Sequence, residues 1–229
     1  MRHEQRRLIW IAGALAVLCL ASMAAPGNSP TGRDGEPRYI GAAKCKNCHA
    51  SDESGNQYGA WCESKHSHAF EALASEEARS AGQERGVAEP QTSEKCLKCH
   101  VTAYGQPAER FKGKFDSTRG VQCESCHGPG EHHMKARFLA ASQPDATGDY
   151  VAVPPTEIVT QPPREVCLGC HNEESPTFKP FCFKKRWQKI QHLDPRKPRT
   201  PEQLEAMKCQ CDEECQCVHG ECGAPHDAN

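Results

Sequence analysis

Residues 120–133 read GVQCESCHGPGEHH. Cys123, Cys126 and His127 stand in the order Cys-x-x-Cys-His, and a Gly-Pro-Gly break separates them from His132 and His133. Each thiol forms a thioether to one vinyl group of a haem, and the histidine binds the iron as proximal ligand. Whether this stretch builds such a centre depends on recurrence of the pattern and on what the two later histidines serve.

The pattern recurs three times: CKNCH (Cys45, Cys48, His49), CLKCH (Cys96, Cys99, His100) and CLGCH (Cys167, Cys170, His171). A single copy could be a zinc half-site or a redox dithiol. Four copies, each with histidine directly after the second cysteine, point to four covalently bound haem c groups. Successive first cysteines are 51, 27 and 44 residues apart, which excludes a regular repeat and implies one irregular domain.

Composition agrees. The chain has 229 residues, only 37% hydrophobic and 6% aromatic, with 17 Pro and 18 Gly. A core made of side chains alone would be thin, and four haems would fill it. The expected fold is mainly α with long loops and little β, a multihaem cytochrome c fold. One helix is expected over residues 61–80, ending near Gly82. A second starts after Gly130, in EHHMKARFLAA. A third follows Thr200, where Thr200 caps, Pro201 suits the first helical position and Gln203 completes a capping box. A small hairpin in residues 104–121 or 151–159 is the most β structure the pattern allows.

The N-terminus carries Arg2, Arg6 and Arg7, then the apolar run LIWIAGALAVLCLA (residues 8–21), then small residues at 22–24. This order reads as a secretory signal peptide cut near residue 24, hence export to the periplasm. Residues 25–38 form a Pro/Gly-rich linker, residues 39–199 the tetrahaem domain and residues 200–229 a Cys-rich tail. Cleavage removes three Arg and one Glu from 28 basic and 30 acidic residues, leaving 25 and 29. That balance argues against a nucleic-acid partner. No later apolar run is long enough to span a membrane.

Distal iron ligands are mostly histidines, since Met134 and Met207 are the only methionines left after cleavage. Besides His49, His100, His127 and His171, the mature chain offers His66, His68, His132, His133, His192, His219 and His226. His66 and His68 lie two positions apart on the expected helix and so cannot easily serve one iron.

Several strings go well beyond the attachment motif: YIGAAKCKNCH, WCESKHSHAFEAL, CLKCHVTAYG, GVQCESCHGPG and CLGCHNEESPTFKPFCFKKRWQKIQH, spread over residues 39–192. They resemble the tetrahaem cytochromes of the c-554 type, related to the electron acceptor of hydroxylamine oxidoreductase in ammonia-oxidising bacteria. The resemblance implies that His66, five residues after Trp61, ligates the third haem in sequence. It implies His133 or His132 for the first haem, with His133 favoured, and His192 for the fourth. It leaves the second haem, at His100, five-coordinate, with His68 the alternative distal ligand or a propionate partner. It also implies closely packed haems and a role in electron transfer between redox proteins.

The tail lies beyond that resemblance. Cys209, Cys211, Cys215, Cys217 and Cys222 suit either a thiophilic metal or a disulfide knot. Cys62 and Cys182 each precede an expected ligand and could bridge to one another. The run KKRWQKIQHLDPRKPR (residues 184–199) is strongly basic and suits propionates, an acidic partner or a solvated face. The leading expectation is therefore an exported electron carrier. The alternatives are a redox enzyme acting on a small nitrogen or oxygen species at an open second haem, and a metal-binding accessory working through the tail.

Overall fold

The computed structural model describes residues 35–179 and 183–208. The expected signal peptide, Cys182, His219, His226 and all five tail cysteines lie outside them. The order of helices is α1 (Ala42–His49), α2 (Gln57–Cys62), α3 (Ala69–Ala72), α4 (Glu76–Gln83), α5 (Glu94–His100), α6 (Cys123–His127), α7 (Glu131–Ala141), α8 (Arg164–Leu168), α9 (Phe183–Ile190) and α10 (Pro201–Ala206). Short 3-10 turns and long loops join them. The described residues contain no strand. Among them an isolated parallel bridge pairs Tyr39 with Phe111, and neither stretch allowed a hairpin, residues 104–121 or 151–159, forms one.

Two expected helices form where local chemistry dictates. α7 begins directly after Gly130. α10 carries the full capping box: Thr200 Oγ1 accepts from Gln203 N at 3.2 Å, and Thr200 N donates to Gln203 Oε1 at 2.9 Å.

The helix expected over residues 61–80 is instead three pieces. Ser64 Oγ donates to Trp61 O at 2.7 Å, and Ser67 Oγ to Cys62 O at 2.9 Å and Ser64 O at 2.8 Å. Such hydroxyl bonds to nearby carbonyls compete with the helical ladder. Ser75 then caps a new start by accepting from Ala78 N at 3.1 Å. His66 consequently sits in a turn, where its side chain is free of helical periodicity.

Buried apolar residues among those described are few: Ile40, Ala42, Trp61, Leu73, Val87 and Val101. Much of the order comes instead from buried polar groups between elements. Glu124, inside the third motif, accepts from Ile40 N at 2.9 Å, Gly41 N at 2.8 Å and Gly130 N at 2.7 Å. Gln122 Oε1 accepts from Ala42 N at 2.8 Å. The first N–H groups of a helix have no partner within it. Here two side chains of the third motif supply partners for the start of the first, which locks α1 to α6.

Candidate haem centres

α1, α5 and α6 each end on their motif histidine. α8 ends at Leu168, but its turn continues through bonds from Cys170 N (3.1 Å) and His171 N (2.8 Å) to Cys167 O. The two cysteines and the histidine of each motif thus lie within one helical turn and on one side of it.

Three motif histidines face another histidine. The rings of His49 and His133 are 6.1 Å apart at 26°, those of His66 and His171 are 6.0 Å apart at 59°, and those of His127 and His192 are 5.8 Å apart at 63°. Metal–imidazole bonds are about 2.0 Å long and a ring centre lies about 1.1 Å behind its nitrogen, so two imidazoles on opposite sides of one metal have centres roughly 6.2 Å apart. All three separations are close to that value. The angles do not count against this, because each ring is free to turn about the metal–nitrogen axis.

The ring edges are fixed from behind. Nδ1 of His127 lies 2.6 Å from Val159 O, Nδ1 of His100 2.6 Å from Ala69 O and Nδ1 of His192 2.9 Å from Ile190 O. Nδ1 of His49 is 3.3 Å from Gln57 Oε1, and Nδ1 of His133 is 3.4 Å from Glu157 Oε2. With Nδ1–H donating to these acceptors, Nε2 carries the lone pair for a metal. Burial pushes His66, His127, His133 and His171 below the ordinary imidazole range. That favours the neutral form, which ligation requires.

The pairing differs from the one the resemblance implied for two residues. His66 was expected to serve the third motif and faces the fourth. His192 was expected to serve the fourth and faces the third. The cause is that the third and fourth motifs are neighbours: α6 packs on α8, and Cys126 is near enough to Cys167 to feel it electrostatically. A histidine arriving at this junction can turn to either side, and sequence order does not choose.

Of the adjacent pair on α7, His133 faces His49. His132, about 100° around the helix, makes no ring contact among the described residues. His68 points elsewhere than His100: its Nδ1 is 3.0 Å from Glu71 Oε2 and its side chain is 62% exposed. No second histidine ring faces His100 among the described residues.

Motif neighbours follow from the thiols. Cys45 is close enough to Cys123, and Cys99 to Cys170, for each thiol to feel the other electrostatically. With Cys126 beside Cys167, the motifs stand in the spatial order first, third, fourth, second. Burial is the main reason that the Cys126 thiol is pushed up to about 11 and that of Cys170 up to about 12.

Three guanidinium groups have buried nitrogens with no hydrogen-bond partner among the described residues: Nε of Arg110, Nε and Nη1 of Arg137, and Nε of Arg164. Such orphans fit a group that brings its own carboxylates, as haem does. In the basic run, Arg196 pairs with Asp194, Lys197 stands over the Tyr150 ring and Arg199 donates to backbone carbonyls. Arg186 is close enough to His171 to help depress it. The described residues contain no cluster of three or more His, Cys, Asp or Glu side chains suited to a bare metal ion.

Sequence reading overlooked Glu124 and Glu157. Glu124 stands inside the third motif, beside the two cysteines and the histidine expected to hold a haem. Glu157 sits in a loop with no periodic signal. The carbonyls of Ala69 and Val159 carry none at all.

The family described as cytochrome c554 and c-prime matches residues 44–128, a span that holds the first three motifs and ends before the fourth. A cytochrome c-554 of Nitrosomonas europaea is 33% identical over 98 residues, which are 41% of this chain and 40% of that protein. The match therefore spans less than half of that relative's length. No solved structure matches the chain.

Proposed function

We propose, from the match of residues 44–128 to the cytochrome c554 and c-prime family, that the whole chain is an exported tetrahaem c-type electron carrier. Cys45 and Cys48, Cys96 and Cys99, Cys123 and Cys126, and Cys167 and Cys170 would each hold one haem. His49, His100, His127 and His171 would be the proximal ligands. His133, His192 and His66 would be the distal ligands opposite His49, His127 and His171. The observation that carries this reading is the trio of imidazole pairs at 5.8–6.1 Å, each joining a motif histidine to one from another segment.

Bound haem supplies a one-electron Fe(III)/Fe(II) couple whose potential follows axial ligation, hydrogen bonding and burial. The chain sets all three. Its Nδ1 acceptors orient the rings. Glu124 and Gln122 hold the first motif against the third. The proximity of the thiols supports a line of centres from first to third to fourth to second, whose two ends are the consecutive first and second motifs. Donor and acceptor would be redox proteins that meet this line at exposed haem edges.

Haem counting by pyridine haemochrome, with EPR of the oxidised holoprotein, tests the proposal. Four haems per chain with three low-spin bis-imidazole centres are expected. Fewer haems, or no bis-imidazole centre, would overturn it.

One observation favours a second reading. His100 faces no second histidine among the described residues, which leaves room for a small nitrogen or oxygen ligand at that haem and for redox chemistry on it. A high-spin EPR signal that nitric oxide or cyanide abolishes supports access. Turnover of the added species separates an enzyme from a carrier with an open site.

A further inference from the structure

We propose that Arg137 anchors a carboxylate of the haem held between His49 and His133, and that Glu157, its ion-pair partner, is a positioning residue that orients His133. The inference rests on the ligand assignment proposed above.

His133 and Arg137 are four residues apart on α7 and so lie on one face, one turn apart. Glu157 reaches both: Oε2 lies 3.4 Å from His133 Nδ1, and Oε1 accepts from Arg137 Nη2. The three side chains are 16%, 25% and 15% exposed for His133, Arg137 and Glu157. Glu157 is fixed in turn by its loop, where its own N–H donates to Pro154 O at 2.9 Å.

A guanidinium has five N–H donors in a rigid plane. Arg137 gives Nη2 to Glu157, while Nε and Nη1 are buried and find no partner among the described residues. Leaving such donors unfilled costs free energy that no neighbouring side chain offsets. An anionic acceptor beside His133 suits a donor left in this state. A haem propionate at the iron of His49 and His133 is such an acceptor.

Glu157 also distinguishes His133 from His49, His100, His127 and His192. The acceptors behind His49, His100, His127 and His192 are an amide or backbone carbonyls. Only His133 is backed by a carboxylate among these. A carboxylate behind a ligating imidazole raises its basicity, which favours Fe(III). The Arg137 charge favours Fe(II). The two residues therefore act on one haem with opposite sign.

The test uses holoprotein variants and a redox titration followed through the EPR signal of each low-spin centre. E157Q is expected to raise the potential of the first haem, shifting its reduction equilibrium several-fold toward Fe(II). R137Q is expected to lower it several-fold. R137K, which keeps the charge and loses the fork, is expected to shift it less and in the same direction as R137Q, and it serves if R137Q does not load haem. Shifts of the same sign in E157Q and R137Q, or none, would overturn the inference. H133A separates the two levels. If H133A turns one low-spin haem high-spin while the other variants shift nothing, the ligand assignment stands and this inference falls. If H133A leaves every spin state unchanged, both fall.

Discussion

The ring of His66 stands 6.0 Å from that of His171, while the backbone carbonyl of His66 accepts from Val121 N at 2.9 Å, beside the third motif. The side chain thus crosses from the scaffold of one motif to the face of the next. In the holoprotein, NOEs from the His66 ring should reach the thioether protons at Cys167 and Cys170. NOEs to those at Cys123 and Cys126 instead would show that the order implied by the resemblance is right and this geometry wrong.

The ring angles make a spectroscopic prediction. Two planar ligands set nearly parallel split the iron d orbitals strongly, while ligands nearer perpendicular leave them close in energy and give a highly anisotropic low-spin signal. The His49–His133 pair, at 26°, should give a rhombic signal, and the pairs at 59° and 63° should give signals with a large maximum g value. Three rhombic signals of one type would contradict these angles.

What the sequence made legible follows from what kind of interaction each feature needs. α7 and α10 depend on neighbours within a turn, and their residues announce them. The break after Trp61 was also local, but it hinged on serine hydroxyls that helix-favouring Ala and Glu outweighed in the pattern. The choice of His133 over His132 needed the rotation of one helix against another. The partners of His66 and His192 needed the path of the whole chain between motifs, which spacing does not encode.

Glu124 should matter more for stability than any exposed acid of the motifs. It satisfies three buried N–H groups across the first and third motifs. Glu124→Ala is expected to cost about 3 kcal/mol or more, since each buried donor left unpaired costs roughly 1–3 kcal/mol. Denaturant unfolding of the holoprotein measures it. The exposed Glu94 in the second motif's helix is the control: Glu94→Ala should stay within about 0.5 kcal/mol. Equal effects would remove the clamp from the explanation.

Gly120 opens the third motif's segment and bears on a ligand of the fourth. Its φ of +71° with ψ of −144° is a combination essentially restricted to glycine. A Cβ there would lie 2.6 Å from His66 O and 2.9 Å from Ser67 O. Gly120→Ala should therefore cost about 3 kcal/mol and disturb the low-spin signal of the His66–His171 centre. Gly148 isolates the strain alone: its φ is +78°, and a Cβ there would meet no atom within 4 Å. Gly148→Ala should cost about 1 kcal/mol and leave every low-spin signal intact. If both substitutions spare the signals, His66 is not held by this turn.

Acid stability should depend on Glu131, the first residue of α7. Arg38 donates to it through Nε and Nη2, both at 2.7 Å, and Lys112 Nζ donates at 2.8 Å. The Arg38 bonds chiefly, with help from Lys112, hold this carboxyl well below the usual carboxylate range. A carboxyl depressed in the folded state gives stability that is complete above its unfolded pKa, near 4.3, and is lost as pH falls through the lower folded value. The gap between wild type and Glu131→Gln should then be constant from about pH 5 to 7, on the order of 1 kcal/mol for a partly exposed cluster, and should close below about pH 4. Thermal unfolding of the two holoproteins across that range checks it. A gap that widens on acidification would have the wrong sign for this carboxylate and would place the acid-labile group elsewhere.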